Sequence, residues 1–593
     1  MRLFIAGEHL RAEDFLAPHA RPEGGYVFRL YAPHARRVGL LLETTGRAPR
    51  LLYDLHPGPS GLWRGVVPGA QTGDRYTYLL EDAGGTERVK ADPFALATAA
   101  PASPWAVLAP LPARRPEAAR PQPRLVYEVH LPSWATPDPV PTAASLASTL
   151  LARARRIGAS HIEFLPLTEY PHPDSWGYQV THYFAPTARI GGPRVLEELV
   201  DRIHEAGFGV LLDWVGGHFA VDGFALSAFD GTPLYEARDP ASRHHPDWGT
   251  LEFELGAGAV KSFLLSSALF WLERYGFDGL RVDAVSSILY RDYSRPEGTW
   301  RANAWGGRES IEGLGFLRRL TGSIALERPG AVLVAEESSN WPGVTEPVER
   351  GGLGFHMCWD CGWTHAARHF FGSREAGRRR NAGAWADRIV RERAERTVLP
   401  LSHDEVVHGK KTALSFMPGD GERRWANLRL FFTDLLTHPG CPLVFMGQED
   451  APRDEWNHRV PLPPPPDEGP RAGFVRLLER LGRLRRKGWL DGGEAGAAAS
   501  WINQRPHDPL VLAFVRPVRR GRLLVLHNGS IRMIRDLVVE APPGNWHLLL
   551  STDSPAVGGR GRARAAAGEG RRPEDTLRVD LPPLSSLLFG QRP

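Results

Sequence analysis

Gly279-Leu-Arg-Val-Asp-Ala-Val285 is a short apolar run opened by glycine and broken only by Arg281 and Asp283. Those two side chains stand two residues apart, so on an extended strand they point to the same side. A guanidinium beside a carboxylate keeps it ionised. Runs of similar texture recur on either side, at 125–129, 161–166, 209–214, 331–336, 354–359, 397–403 and 442–446. Between most of them lie segments with a helical apolar period, at 142–157, 194–205, 260–275, 384–393 and 424–436, and a last one follows at 474–486. Strands alternating with amphipathic helices make a parallel α/β fold, and eight is the number a closed (β/α)8 barrel requires.

The texture changes outside that region. Residues 24–95 alternate apolar and polar in short bursts such as Tyr26-Val-Phe-Arg-Leu-Tyr31, separated by Gly/Pro turns, and read as a small β-sandwich. A Pro/Ala/Arg-rich stretch, 101–124, reads as a linker. Strand patterns return after about 490, at 510–515, 523–527 and 546–550, as a second β-sandwich with a Gly/Arg/Ala-rich loop at 558–572. The expected organisation is multidomain: an N-terminal β-sandwich plus linker at 1–115, a central barrel at 116–489 and a C-terminal β-sandwich at 490–593.

Composition narrows the function classes. Of 593 residues, 72 are basic and 68 acidic with the signs interspersed, so the net charge of +4 does not describe a nucleic-acid binder. The one tight basic run, Arg378-Arg379-Arg380, reads as a solvated loop. Three cysteines, Cys358, Cys361 and Cys441, form no disulfide framework and suit a reducing compartment. The lone C-x-x-C is a poor zinc site, and the pair His244-His245 reads as loop rather than as ligands. No apolar run reaches signal-peptide or membrane-span length, so a cytoplasmic protein that meets no membrane is expected.

In a barrel of this kind the active site forms at the carboxyl ends of the strands. Asp213 and His218, Arg281 and Asp283, Glu336-Glu337, His403-Asp404-Glu405, and Glu449-Asp450 all fall there. So many carboxylates at one mouth are costly unless the site binds something polar or moves protons. Glu336 and Glu337 are consecutive, and strand alternation lets only one of them face the pocket without saying which.

Asp213-Trp-Val-Gly-Gly-His218, Gly279-Leu-Arg-Val-Asp283-Ala, Val334-Ala-Glu336-Glu and Leu401-Ser-His403-Asp404 resemble, in order and spacing, the four characteristic regions of the α-amylase superfamily. Within it the chain most resembles the glycogen branching enzymes, which cut α-1,4 linkages and make 1,6 branches. Tyr127-Glu-Val-His130, Ser175-Trp-Gly-Tyr178, His245-Pro-Asp-Trp248-Gly-Thr, Ser287-Ile-Leu-Tyr290-Arg-Asp-Tyr293 and Met417-Pro-Gly-Asp420 support that likeness. Tyr31-Ala-Pro33 and Ala91-Asp92-Pro93 are similar to the glycogen-binding-type module preceding such barrels.

The resemblance implies roles. Asp283 would be the nucleophile of a retaining double displacement, Glu336 the acid and later the base, and Asp404 the residue that grips sugar hydroxyls. Arg281 would hold Asp283 ionised, Asp213 would orient Arg281 or its neighbours, His218 and His403 would bind hydroxyls, and Tyr178 would lie beneath the sugar. Retention requires the carboxyl groups of Asp283 and Glu336 to stand about 5–5.5 Å apart. α-Glucan would serve as donor and acceptor of a monomeric enzyme with no cofactor. Gly217 stands where many amylases use an asparagine to hold calcium, so no metal is expected.

One departure keeps alternatives open. Met446-Gly-Gln448-Glu449-Asp450 has Gln448 where branching enzymes carry glycine, which leans toward an α-glucan hydrolase such as maltooligosyltrehalose trehalohydrolase. A catalytically idle glucan-binding protein is a third reading, opposed by the retention of every expected catalytic residue.

Overall fold

The computed structural model describes all residues except 45–50, 118–119, 135–141, 391–394, 465–467, 493–498, 567–576 and 593. Eight strands, β1 (Val126–Val129), β2 (His161–Phe164), β3 (Gly209–Trp214), β4 (Gly279–Val282), β5 (Val332–Ala335), β6 (Met357–Trp359), β7 (Thr397–Leu401) and β8 (Cys441–Phe445), follow one another around a closed barrel. Each lies within three residues of where the apolar runs put it. β3, β4 and β5 pair in parallel, with Asp213 opposite Arg281 and Arg281 opposite Val334. β1 and β7 flank β8 in the same sense. Every residue of these eight strands except Thr397 is buried, as expected of strands covered on both faces.

Contacts group the chain into two compact units, one of residues 1–122, 130–148 and 163–358, the other of 123–129, 149–162 and 359–593. The first contains the N-terminal sandwich. One of its sheets joins His19–Ala20, Tyr26–Tyr31, Leu62–Val67 and His56–Pro57; the other joins Leu51–Asp54, Arg37–Glu43, Arg75–Glu81 and Glu87–Lys90. Phe28, Tyr76 and Tyr78 are buried between them, with Phe28 and Tyr76 edge-on at 5.3 Å. The expected linker is partly a strand, since Ala106–Val107 pairs with Arg75–Glu81, and the backbone N–H of Arg115 donates to Glu273 O at 2.6 Å. Lys90, at the sandwich edge, is buried and donates to the carbonyls of Gly223, Ala225 and Ser227 in the excursion that follows β3. Burial pushes its pKa down to about 8.

In this unit the helix Ile311–Glu327 was not indicated by the sequence pattern. Gly313, Gly315 and Gly322 each lower its intrinsic propensity by about 1 kcal/mol relative to alanine. Ser310 caps it by accepting from the Gly313 N–H at 3.1 Å, and burial of Phe316, Leu317, Leu320 and Ile324 overrides the glycines. The segment expected as one helix at 260–275 is α-helical over Gly258–Phe270 and widens into a π-turn at Trp271–Tyr275, closed by Gly276 at φ 76°.

The second unit holds β7, β8 and the C-terminal sandwich, whose sheets run Ser500–Trp501, Val511–Val518, Gly521–Asn528, Ser585–Gln591, His547–Ser551 and Gln504–Arg505, Ile534–Val539, Leu577–Leu581, Arg564–Ala566. Leu524, Leu526, Leu537, Val539, Leu581 and Leu587 form its core. A helix at Cys361–Gly372 was also missed by the pattern, although Asp360 caps it by accepting from the Trp363 N–H at 2.8 Å.

The basic run at 378–380 is not a solvated loop. It lies inside the helix Glu375–Val390, and Arg378 is 3% exposed. Its guanidinium donates to the carbonyls of Ser373, Phe371 and Gly529 and to Asn427 Oδ1 at 2.7–3.1 Å. Four acceptors satisfy the buried charge, which is what makes the burial tolerable.

Candidate functional site

The pleat of β4 sends Arg281 and the following Asp283 to one side, as their spacing demands, and both are buried. Nη1 of Arg281 donates to both oxygens of Asp213 at 2.7 and 2.8 Å and to Asp283 Oδ1 at 2.8 Å. Nη2 pairs with Glu336 Oε2 at 3.1 Å. One guanidinium thus gathers three carboxylates, from the ends of β3, β4 and β5. His218, just beyond β3, brings Nε2 within 3.3 Å of Asp283 Oδ2. Burial pushes the Asp283 carboxyl up, but the His218 hydrogen bond and the Arg281 charge outweigh it, so its pKa lies below the usual carboxylate value. Tyr178 donates its hydroxyl to Asp213 Oδ2 at 2.6 Å, and its ring lies 5.9 Å from the Arg281 guanidinium.

Glu336 and Glu337 part company as alternation requires. The Glu336 side chain is 23% exposed, beside Arg281, and its Oε2 accepts from the Ala284 N–H at 2.7 Å. Ala284 makes that bond from a left-handed conformation, φ 49° and ψ 43°, sparsely occupied by non-glycine residues. Glu337 is buried and accepts from Ser286 Oγ at 2.9 Å, Ser339 N at 2.7 Å, Trp341 N at 3.0 Å and Ser339 Oγ. Its oxygens are committed to holding the loop after β5.

Another histidine stands here that the sequence reading assigned to a loop. His245 is buried and stacks flat on Trp248, centroids 3.5 Å apart and planes 2° apart; Trp248 in turn lies 4.8 Å from the His218 ring. Burial first, then the neighbouring His218, push the His245 pKa down to about 3, so it is neutral and serves as packing for His218.

In the second unit, His403 and Asp404 follow β7. Glu128, in the middle of β1 and fully buried, accepts from the His403 backbone N–H and pairs with its Nδ1, each at 2.8 Å. With Nδ1 donating to that carboxylate, the imidazole is fixed in orientation and turns Nε2 away from Glu128. Asp404 is 44% exposed, its Oδ1 3.5 Å from His403 Nε2. Glu128 stands within the Tyr127–His130 motif, where the sequence alone assigns it no role. A carboxylate inside the otherwise apolar Val126–Val129 was the available signal.

Glu449 and Asp450, also candidates from their place after β8, are sealed by other groups. Arg153 Nη1 donates to Glu449 Oε1 at 2.7 Å and also to Asp450; Arg156 donates to Asp450 Oδ1 at 2.5 Å; Tyr127 donates to Glu449 Oε1 at 2.7 Å. Gln448, the departure from the family pattern, is buried, and its Oε1 accepts from the Ala413 N–H at 3.4 Å. Among the described residues no group of His, Cys, Asp and Glu is arranged to hold a metal ion, and no helix is long and apolar enough to cross a membrane.

Residues 16–95 match the family described as carbohydrate-binding module 48 (isoamylase N-terminal domain), and residues 501–591 the family described as the α-amylase C-terminal all-β domain. Over 583 residues the chain is 40% identical to 1,4-alpha-glucan branching enzyme GlgB 2 of Xanthomonas campestris pv. campestris, covering 94% of this chain and 80% of that one. It is 41% identical over 613 residues to the 1,4-alpha-glucan branching enzyme GlgB of Rhodopseudomonas palustris, covering 99% and 85%. Among solved structures, apo pullulanase from Paenibacillus barengoltzii superposes with a TM-score of 0.72 at 16% identity, covering 98% of this chain and 94% of that one.

Proposed function

The chain belongs to the 1,4-α-glucan branching enzymes, and from that premise we propose that Asp283, Glu336 and Asp404 carry its retaining glycosyl transfer. Asp283, kept ionised by Arg281 and His218, attacks C1 of a glucosyl unit as Glu336 passes its proton to the departing glycosidic oxygen. The α-1,4 bond breaks and a covalent glycosyl ester forms on Asp283. A 6-hydroxyl of an acceptor glucan then attacks C1, Glu336 takes the hydroxyl proton, and the ester bond breaks to leave an α-1,6 branch. Asp404 and His403 hold hydroxyls of the transferred sugar, with Glu128 orienting His403; Tyr178 forms the platform beneath the sugar, fixed by its bond to Asp213. The observation that carries this reading is the single guanidinium shared by Asp283 and Glu336.

Branching rather than hydrolysis is favoured by the names of the relatives, and Gln448, the residue that leaned the other way, has its side chain buried and accepting from the Ala413 N–H. The same reading has the enzyme act as a monomer in the cytoplasm, and three cysteines without a disulfide suit a reducing compartment. The test is incubation with amylose while iodine colour and reducing ends are followed together. Loss of colour without a matching rise in reducing ends, and short chains released on debranching, is the expected result. A matching rise would make the protein a hydrolase.

A further inference from the structure

Trp305 is 76% exposed, the most exposed tryptophan among the described residues, while the neighbouring Trp300 is half-buried. It sits at the tip of an ordered loop. Asn303 Oδ1 accepts from the backbone N–H groups of Trp305 at 2.9 Å and Gly307 at 3.0 Å, and Asn303 Nδ2 donates to Glu309 O at 3.0 Å. The Asn303 N–H donates to Gly307 O at 2.8 Å, and Gly306 takes the left-handed φ of 82° that closes the turn. An indole displayed to water on a braced loop holds out a flat apolar face that the fold beneath does not cover.

The stem of the loop belongs to the catalytic strand ends. Asp283 leads into the short helix Val285–Leu289; Ser310 N donates to Leu289 O at 2.7 Å, and Tyr290 bridges to Glu309. Arg308 stacks on Tyr290 at 4.4 Å, Tyr290 meets Trp341 edge-on at 5.5 Å, and the Trp341 N–H is held by Glu337, next to Glu336. The loop is thus braced from the segments carrying both Asp283 and Glu336.

The geometry points to Trp305 as an aromatic subsite for α-1,4-glucan, gripping the stretch of chain that runs out of the catalytic pocket across this loop. A polymer longer than a buried pocket must lie on the surface beyond it. A flat indole offers that chain a face for the C–H side of its pyranose rings without demanding one register. The proposal rests on the substrate reading above and deepens it.

Affinity electrophoresis of the full-length protein in gels containing amylose reads binding without requiring catalysis, so it separates failure of this proposal from failure of the branching assignment. Trp305→Ala is expected to weaken retardation about three- to tenfold, the value of one aromatic contact, with a matching fall in kcat/KM on long amylose. Trp305→Phe should restore both to within about twofold, and Leu326→Ala, at another exposed apolar position, should leave retardation unchanged. Unaltered retardation of Trp305→Ala, or an equal loss in Trp305→Phe, overturns the proposal.

Discussion

Two buried arginine–carboxylate clusters at barrel strand ends differ in charge balance and in exposure. Around β3 to β5 one guanidinium, Arg281, serves three carboxylates, and Glu336 keeps 23% of its side chain exposed. After β8 two guanidiniums, Arg153 and Arg156, serve two carboxylates with Tyr127 as a further donor, and Glu449 is wholly buried. Burial and the adjacent Glu449 push the Asp450 carboxyl up, whereas His218 and Arg281 draw Asp283 down. On the proposed assignment, the cluster with too little positive charge and an open side is the reactive one, and the cluster with matched charge and a closed side is structural.

The largest expected departure comes from removing the open carboxylate. Glu336→Gln should lower kcat for branching by about 100- to 10,000-fold, the usual worth of general acid catalysis, with an unchanged melting curve. Glu337→Gln should instead lower Tm, since four donors converge on that side chain. A fully active Glu336→Gln enzyme would reverse their assignment.

Changing the shared cation tests the stoichiometry itself. Arg281→Lys offers one ammonium where a planar fork now meets three acids, and kcat should fall about 100-fold. Because Arg281 helps hold Asp283 below its ordinary pKa, weakening it raises that pKa, and the nucleophile becomes protonated at a higher pH. The acid limb of the rate profile should therefore move upward; a limb that stays put would separate Asp283's ionisation from Arg281.

Glu128→Gln removes the charge that fixes His403 and should cost about tenfold in kcat/KM, within the range for groups that orient a functional histidine. Steady-state kinetics on amylose measure it, and an unaffected enzyme would leave Glu128 as packing alone. The smallest effect on catalysis is expected in the sealed cluster. Arg153→Met should cost about 3–5 kcal/mol of stability in denaturant titration by leaving Glu449 without its main partner, while the folded fraction turns over within about twofold of wild type. A large loss of turnover in that fraction would erase the distinction between the clusters.

Much of this protein was legible in sequence because its signals are local. The eight strands are short apolar runs between turns, and the pairing of Arg281 with Asp283 follows from a period of two along one strand. The order of the four motifs, too, lies along the chain. Alternation showed that Glu336 and Glu337 must diverge, but the direction depends on Arg281 and Ala284 on one side and on Ser286, Ser339 and Trp341 on the other.

The same reason governs the other differences. Arg378 reads as solvated until acceptors from Phe371, Asn427 and Gly529 surround it, and Glu449 reads as a catalytic candidate until Arg153 and Tyr127 close over it. Glu128 gains a role only when His403, 275 residues away, is brought to it. Sequence by itself determined the strands, their faces and the candidate acids at the strand ends, though not Glu128. Only the tertiary structure decided which acids stay open and which are consumed, because a charged side chain's function is set by its partners, and those partners come from distant segments.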